Sequence, residues 1–282
     1  MTGTLYIVST PIGNLEDITH RALRILQDVD LIACEDTRHT KKLLTHFGID
    51  ARTISYHDHN ERERAQELLQ RLQEGKNIAI VSDAGTPGIN DPGFRLVRLA
   101  IDNNVPVVPV PGASALVAAL VASGLATDEF FFGGFLPAKT NARRARLAEL
   151  QSMSATLIFY EAPHRIAATL KDAYEVLGPR QAVVARELTK LHEEIARGLL
   201  NEISERFAAN EQVRGEIVLL IDRAPATDQP KSDANTSIAQ VVARLEAEGL
   251  DHRAALKKAA RELGLSRDEA YRRLAAERTI DN

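Results

Sequence analysis

Short aliphatic and β-branched runs alternate along the first half of the chain with stretches in which apolar residues return every three or four positions. The runs predict strands at Leu5 to Ser9, Leu31 to Glu35, Thr53 to Tyr56, Ile78 to Ser82 and Val105 to Val110. The periodic stretches predict helices at Arg21 to Gln27, Lys41 to Phe47, Glu61 to Gln73 and Pro92 to Asp102. A run as uniformly apolar as Ile78-Ala79-Ile80-Val81 belongs in a parallel sheet with both faces covered by helices. Residues 1–112 are therefore expected to form a parallel α/β domain.

Past Pro111-Gly112 the rhythm becomes uneven. Apolar runs at Phe130 to Phe135, Thr156 to Tyr160, Gln181 to Arg186 and Gly215 to Asp222 lie between helices of unequal length, which predicts a second α/β domain with a mixed sheet over residues 113–224. The polar, proline-containing stretch 225–237 has no apolar period and reads as a linker. Beyond it, Ile238, Val241, Val242 and Leu245, then Leu256, Ala259, Ala260 and Leu263, mark two amphipathic helices, stopped by Gly249 and Gly264. Ser266 with Glu269 forms a capping box that opens a third. This three-helix appendage, residues 238–282, holds nine Lys/Arg and eight Asp/Glu, so docking on nucleic acid and simple packing both stay open.

Val105 to Thr127 carries no charge and is long enough to cross a bilayer, but prolines 106, 109 and 111 with Gly112 divide it into a strand, a turn and an alanine-rich helix. No membrane span is expected. With 44% hydrophobic and 26% charged residues the composition is that of a soluble globular protein. A formal net charge of -4 supplies no global positive field, so any contact with nucleic acid has to be local. The single cysteine, Cys34, can form no internal disulfide, and the first basic residue is Arg21, which does not suit a signal peptide. Both point to the cytoplasm.

Several familiar chemistries lack their residues. The turn Thr10-Pro11-Ile12-Gly13-Asn14-Leu15 has one glycine where a dinucleotide fingerprint has three, and there is no P-loop. Gly112-Ala113-Ser114-Ala115-Leu116 lacks the closing glycine of a nucleophile elbow. His192-Glu193-Glu194-Ile195-Ala196 has alanine where a zinc-protease helix needs its second histidine, and His57-Asp58-His59 has no third ligand nearby, so no metal is implied.

What remains are punctuated loops at the carboxyl ends of predicted parallel strands, where open α/β sheets bind ligands. They run from Thr10 to Leu15, from Asp83 to Gly93 and from Pro111 to Ala115. The second domain adds ionisable side chains just past apolar strands, in Phe159 to Arg165 and Ala185 to Lys190. Lys139, Arg143, Arg144 and Arg146 form a run with no acid in it, which is either a phosphate-contact patch or a solvated helix face.

The blocks Thr10 to Thr19, Glu35-Asp36-Thr37-Arg38, Ser82 to Pro87, Phe159 to Arg165, Ala185 to Lys190 and Arg214-Gly215-Glu216-Ile217, in that order, resemble the tetrapyrrole-methylase-type (class III) S-adenosylmethionine methyltransferases. Within them the chain is similar to a branch that methylates the ribose 2′-oxygen of a cytidine in 16S rRNA of the small ribosomal subunit. The resemblance implies two α/β domains enclosing S-adenosylmethionine, with Asp83, Ala84, Gly85, Thr86, Ser114, Ala115, Tyr160 and Glu216 as cofactor contacts, and a homodimer. On this reading Pro11, Gly13, Asn14, Lys139, Arg143, Arg144 and Arg165 meet the RNA. A ribose hydroxyl is a weak nucleophile, so a carboxylate or a lysine of depressed pKa would help to remove its proton. Glu187 and Lys190 are the first candidates and Glu161 the third, with phosphate positioning or mutual pairing as the alternative role. Two rivals stay open: carbon methylation of a tetrapyrrole, and a non-enzymatic ribosome-associated factor.

Overall fold

The computed structural model describes residues 2–209, 212–225, 237–263, 265 and 267–280. Its contacts divide the chain into two units, Met1–Ala224 and Pro225–Asn282.

In the first unit, β1 (Leu5–Val8), β2 (Leu31–Cys34), β3 (Thr53–Ser55), β4 (Ile78–Val81) and β5 (Val107–Val110) form an all-parallel sheet in the order β3-β2-β4-β1-β5. Helices α1 (His20–Asp28), α2 (Thr37–His46), α3 (Glu61–Gln73) and α4 (Phe94–Asp102) connect the strands. Two separate apolar cores, around Leu5 and Ile80 and around Val8 and Ile32, account for strands with no polar face. Thr19 caps α1 by accepting from Ala22 N at 3.1 Å, and Asp36 caps α2 by accepting from Arg38 N at 2.8 Å. The expected helix from Pro92 begins two residues later, because Gly93 is its N-cap.

The second sheet is mixed, in the order β6-β7-β10-β8-β9. β6 (Phe130–Phe135) runs parallel to β7 (Thr156–Glu161), while β10 (Ile217–Ile221) is antiparallel to both β7 and β8 (Gln181–Arg186). The edge strand β9 (Glu194–Leu199) pairs with β8 and was not predicted. Its Glu194-Ile195-Ala196 ends the stretch His192 to Ala196 that begins like a zinc-protease helix, and in β9 those three side chains alternate across a sheet. Helices α6 (Thr140–Glu149), α7 (Ile166–Leu177) and α8 (Leu200–Ala208) close one face of this sheet over a core centred on Phe159 and Leu219. The charge-free stretch contains β5 and α5 (Ala115–Ser123); α5 packs on β10, β7 and β8, where Leu116 and Leu120 meet Ile158 and Val218. Ile12, from the loop after β1, enters this same cluster and joins the two lobes. Among the described residues no helix is long and apolar enough to cross a membrane.

The second unit packs α9 (Ile238–Ala247), α10 (His252–Glu262) and α11 (Arg267–Ile280) around Val242, Leu256 and Leu274. Glu277 of α11 accepts from Ser237 Oγ at 2.7 Å and from Ala239 N at 3.0 Å, placing a carboxylate on the positive end of α9. Gly249 follows α9 at φ +96; Gly264, Ser266 and residues 226–236 of the expected linker lie outside the described residues.

Candidate active site

Three loops at the carboxyl edge of the parallel sheet are tied into one wall. Thr10 and Gly85 exchange backbone hydrogen bonds of 2.9 and 3.1 Å, and Thr10 Oγ1 donates to Ser82 O at 3.2 Å. Thr86 Oγ1 donates to Ala113 O at 3.2 Å, so the 2.9 Å bond between Ser9 Oγ and Thr86 Oγ1 has Ser9 as donor. Opposite stand the end of β7, the end of β8 and the start of β10. Between the walls lies a cleft of ≈ 380 Å³, lined by Ala84, Gly85, Thr86, Ser114, Ala115, Tyr160 and Glu216 among others. Seven of the eight residues expected at the cofactor are thus brought together. Asp83 is the exception: it accepts from Asp36 N at 3.1 Å and lines an adjoining cavity of ≈ 290 Å³.

That second cavity holds Pro11 and Gly13 with Lys190, and it shares Ile12, Ala84 and Glu216 with the cleft. Asn14 is turned aside, its side chain accepting from Glu16 N at 3.1 Å. A Cβ on Gly13 would fall 2.6 Å from Lys190 Cγ, so only glycine lets the loop after β8 lie against the loop after β1. The loop after β8 is strained to achieve this, with Glu187 at φ +52 and Thr189 at φ +67. Lys190 Nζ donates to Glu187 Oε1 at 2.8 Å and to Glu216 Oε2 at 3.1 Å, while Glu187 Oε1 also accepts from Glu216 N at 3.1 Å. Burial pulls the Lys190 ammonium down, but its bonds to Glu187 and Glu216 outweigh that and hold it above the ordinary lysine range. The idea of Lys190 as a lysine of depressed pKa is corrected accordingly: it is a firm cation. The same bond holds the Glu187 carboxyl below the usual carboxylate range.

Other expected residues are committed to structure. Glu161 has a fully buried side chain that accepts from Thr169 Oγ1 at 2.6 Å and Ala162 N at 2.8 Å and meets Arg165 Nε at 3.1 Å. Its lone pairs are taken, which disfavours it as a base. Arg165 also donates to Leu136 O at 2.6 Å. Arg143 is buried, 3% exposed, and ion-paired with Asp172 at 2.5 Å. Arg144 pairs with Asp172 and Glu175, and Arg146 with Glu149 at 2.6 Å. The basic run on α6 is therefore largely neutralised, and its reading as a phosphate patch is corrected; Lys139 stays exposed at the N-cap.

Asp91, in the loop after β4, escaped sequence reasoning although it lines the cleft. Burial, followed by repulsion from Glu35, pushes its carboxyl up to about 6. Tyr160, edge-on to Phe132 at 4.9 Å, is raised by burial and then by Asp91. Among the described residues no three His, Cys, Asp or Glu side chains are grouped so as to hold a metal ion.

The family model for Tetrapyrrole (Corrin/Porphyrin) Methylases matches residues 4–204. The chain belongs to the tetrapyrrole methylase family. Within this family it is 51% identical over 270 residues to the "Ribosomal RNA small subunit methyltransferase I" of Synechocystis sp., covering 95% of this chain and 96% of that protein. It is 52% identical over 247 residues to the protein of the same name from Escherichia coli O157:H7, covering 86% of each. Among solved tetrapyrrole-methylase folds, a Thermus thermophilus uroporphyrin-III C-methyltransferase complexed with S-adenosylhomocysteine superposes with a TM-score of 0.55 at 21% identity, over 79% of this chain and 98% of that one. The methyltransferase CobJ gives 0.60 at 18% identity, over 79% and 95%. These two likenesses concern the fold.

Proposed function

We propose that this chain transfers the methyl group of S-adenosylmethionine to ribosomal RNA of the small subunit, at the 2′-oxygen of a cytidine in 16S rRNA. The observation that carries the acceptor class is the near-full-length identity of about one half to relatives named for that RNA. The donor suits the cleft. Its mixed lining, with apolar residues beside Thr86, Tyr160, Asp91 and a Ser114 hydroxyl unused as a helix cap, matches a ligand that is part nucleoside, part amino acid and carries a positive sulfur. When bound, the donor supplies a methyl group already activated for displacement.

The chain's own residues align the acceptor oxygen and manage its proton. With the donor bound, the Glu187 carboxylate would accept the proton of the ribose hydroxyl as that oxygen takes up the methyl group. The Lys190 ammonium, 2.8 Å from that carboxylate, stabilises the negative charge developing on the oxygen. The homodimer that the family resemblance implies is part of this reading, and it would be free to cover exposed side chains such as Phe94 and Val121. An RNA target inside the ribosome and the lone buried Cys34 support a cytoplasmic setting.

The test offers the purified protein, with methyl-labelled donor, small subunits from cells lacking it and, separately, uroporphyrinogen. Label in a 2′-O-methylcytidine of 16S rRNA is the expected result, and label in the macrocycle would move the assignment to the tetrapyrrole branch. Glu187→Gln should slow single-turnover methylation about 10²- to 10⁴-fold; an unchanged rate removes Glu187 as the base.

A further inference from the structure

Helix α2 carries Arg38, His39, Lys41, Lys42 and His46 and no acidic residue. Only Thr40 and Leu44 are buried, so these five side chains are exposed. Arg38 closes on the capping carboxylate of Asp36 at 2.8 Å. Among the described residues no side-chain hydrogen bond or ion pair reaches Lys41 or Lys42. The helix dipole accounts for His46 in the last turn but not for two adjacent lysines in the middle. This is the reverse of α6, whose arginines are spent on Asp172, Glu175 and Glu149.

The position of α2 gives the charge a direction. Lys42 borders an open depression with Arg38, Lys41, Thr45 and His46, and it also lines the ≈ 290 Å³ cavity with Gly13, Asp83 and Lys190. Through Ile12, Ala84 and Glu216 that cavity adjoins the cleft. The inside of the cavity carries the carboxylates Asp83 and Glu216, which repel phosphate but accept hydrogen bonds from a sugar or base. Lys190 is already paired with Glu187 and Glu216, so phosphates are favoured on Lys41 and on Lys42 at the rim, and an uncharged nucleoside within.

We propose that α2 is the docking surface for the backbone of the substrate RNA: phosphates of an unpaired segment lie along Lys41 and Lys42, and the target nucleotide turns into the cavity beside Lys42, bringing its ribose to Glu187 and Lys190. The proposal rests on the rRNA reading above and adds where that RNA is held. Phosphate contacts position the strand without reading its sequence, and an extruded nucleotide is how enzymes reach an atom otherwise hidden in structured RNA.

The test compares wild type, Lys41→Gln/Lys42→Gln on α2 and Arg144→Gln/Arg146→Gln on α6, binding a 16S rRNA fragment across a salt series, with donor binding followed in parallel by calorimetry. The α2 variant should bind the RNA about tenfold more weakly at 0.1 M salt, with its log–log salt slope flatter by roughly 1.4, about 0.7 for each lost single-strand phosphate contact. Its donor affinity should match wild type, and its loss in turnover should fall on KM for RNA. Unchanged RNA affinity and slope in the α2 variant overturn the proposal. So does a loss confined to the α6 variant, which would move the strand to the other lobe. Wild type that binds donor but neither the fragment nor small subunits at any salt overturns the rRNA reading itself, and is told apart because it appears before any substitution.

Discussion

Replacing Asp91 by asparagine is expected to make the protein more stable and its cleft a poorer receptor for a cation. Asp91 lines the cleft half-buried. Burial is the largest influence on its carboxyl and the negative charge of Glu35 the next; a hydrogen bond with Ser82 opposes them, Asp83 and Asp58 add repulsion, and the balance lifts it from 3.8 to about 6. A carboxyl raised on folding favours the folded state below its unfolded value, and that advantage disappears as pH rises through the folded value. Ionised Asp91 therefore costs about 3 kcal/mol at full strength, which solvent access to a half-buried group reduces to about 1–2 kcal/mol. Asparagine keeps a partner for Ser82 and removes the charge. Thermal unfolding of both proteins between pH 4 and pH 8 should show the variant ahead by a margin that widens up to about pH 6 and is constant above about pH 7. At pH 8 the gain should be roughly 2–8 °C. Calorimetry should show weaker donor binding by the variant, and binding by wild type that weakens as pH falls through about 6. Asp91→Asn with equal or lower stability at pH 8 would refute the reasoning, because the carboxylate would then be solvated or paired at no cost.

Three other outcomes follow from the geometry. Gly215→Ala sets a Cβ inside the Glu187 side chain at φ +92, so it should cost about 1–2 kcal/mol in urea unfolding and slow single-turnover methylation, whereas retained activity would mean that Glu187 is free to move. Arg143→Ala leaves Asp172 buried at 5% exposure, still paired with Arg144 alone, and should destabilise the protein by about 3–5 kcal/mol while the folded fraction binds RNA as wild type does; reduced RNA affinity at full stability would restore Arg143 as a phosphate contact. Cys34, fully buried and with its thiol pushed up by burial, should resist a thiol reagent at pH 8 until denaturant is added, and prompt labelling of the native protein would contradict its placement in the core.

The elements legible in the sequence are those whose cause is local. Ile78 to Val81 reads as a buried strand because both of its faces are apolar, and the loops after β1, β4 and β5 read as a site because their breakers follow strands. What was missed depends on partners distant in sequence. Arg143 and Lys42 look alike along the chain, yet the first meets Asp172 and the second meets no acid among the described residues. Asp91 looks like an ordinary loop acid until folding buries it and brings Glu35 near. β9 was hidden because Gly198 and Arg197 blur its alternation at a sheet edge.

The same distinction explains why the position of Lys190 is legible in the sequence and its protonation is not. Its position follows from local signals, since a strand ends and ionisable residues follow. Its protonation state follows, against the effect of burial, from Glu187 and from Glu216 just before β10, while Gly13 lets its stem rest against the opposite lobe. Holding Glu187 and Thr189 in left-handed backbone costs on the order of 1–3 kcal/mol each. The strain is intelligible if its product is a cation fixed between two carboxylates beside the smaller cavity, with its stem against the opposite lobe. A neutral lysine would compete with Glu187 for the acceptor's proton; an ammonium makes that proton easier to lose and leaves Glu187 to receive it.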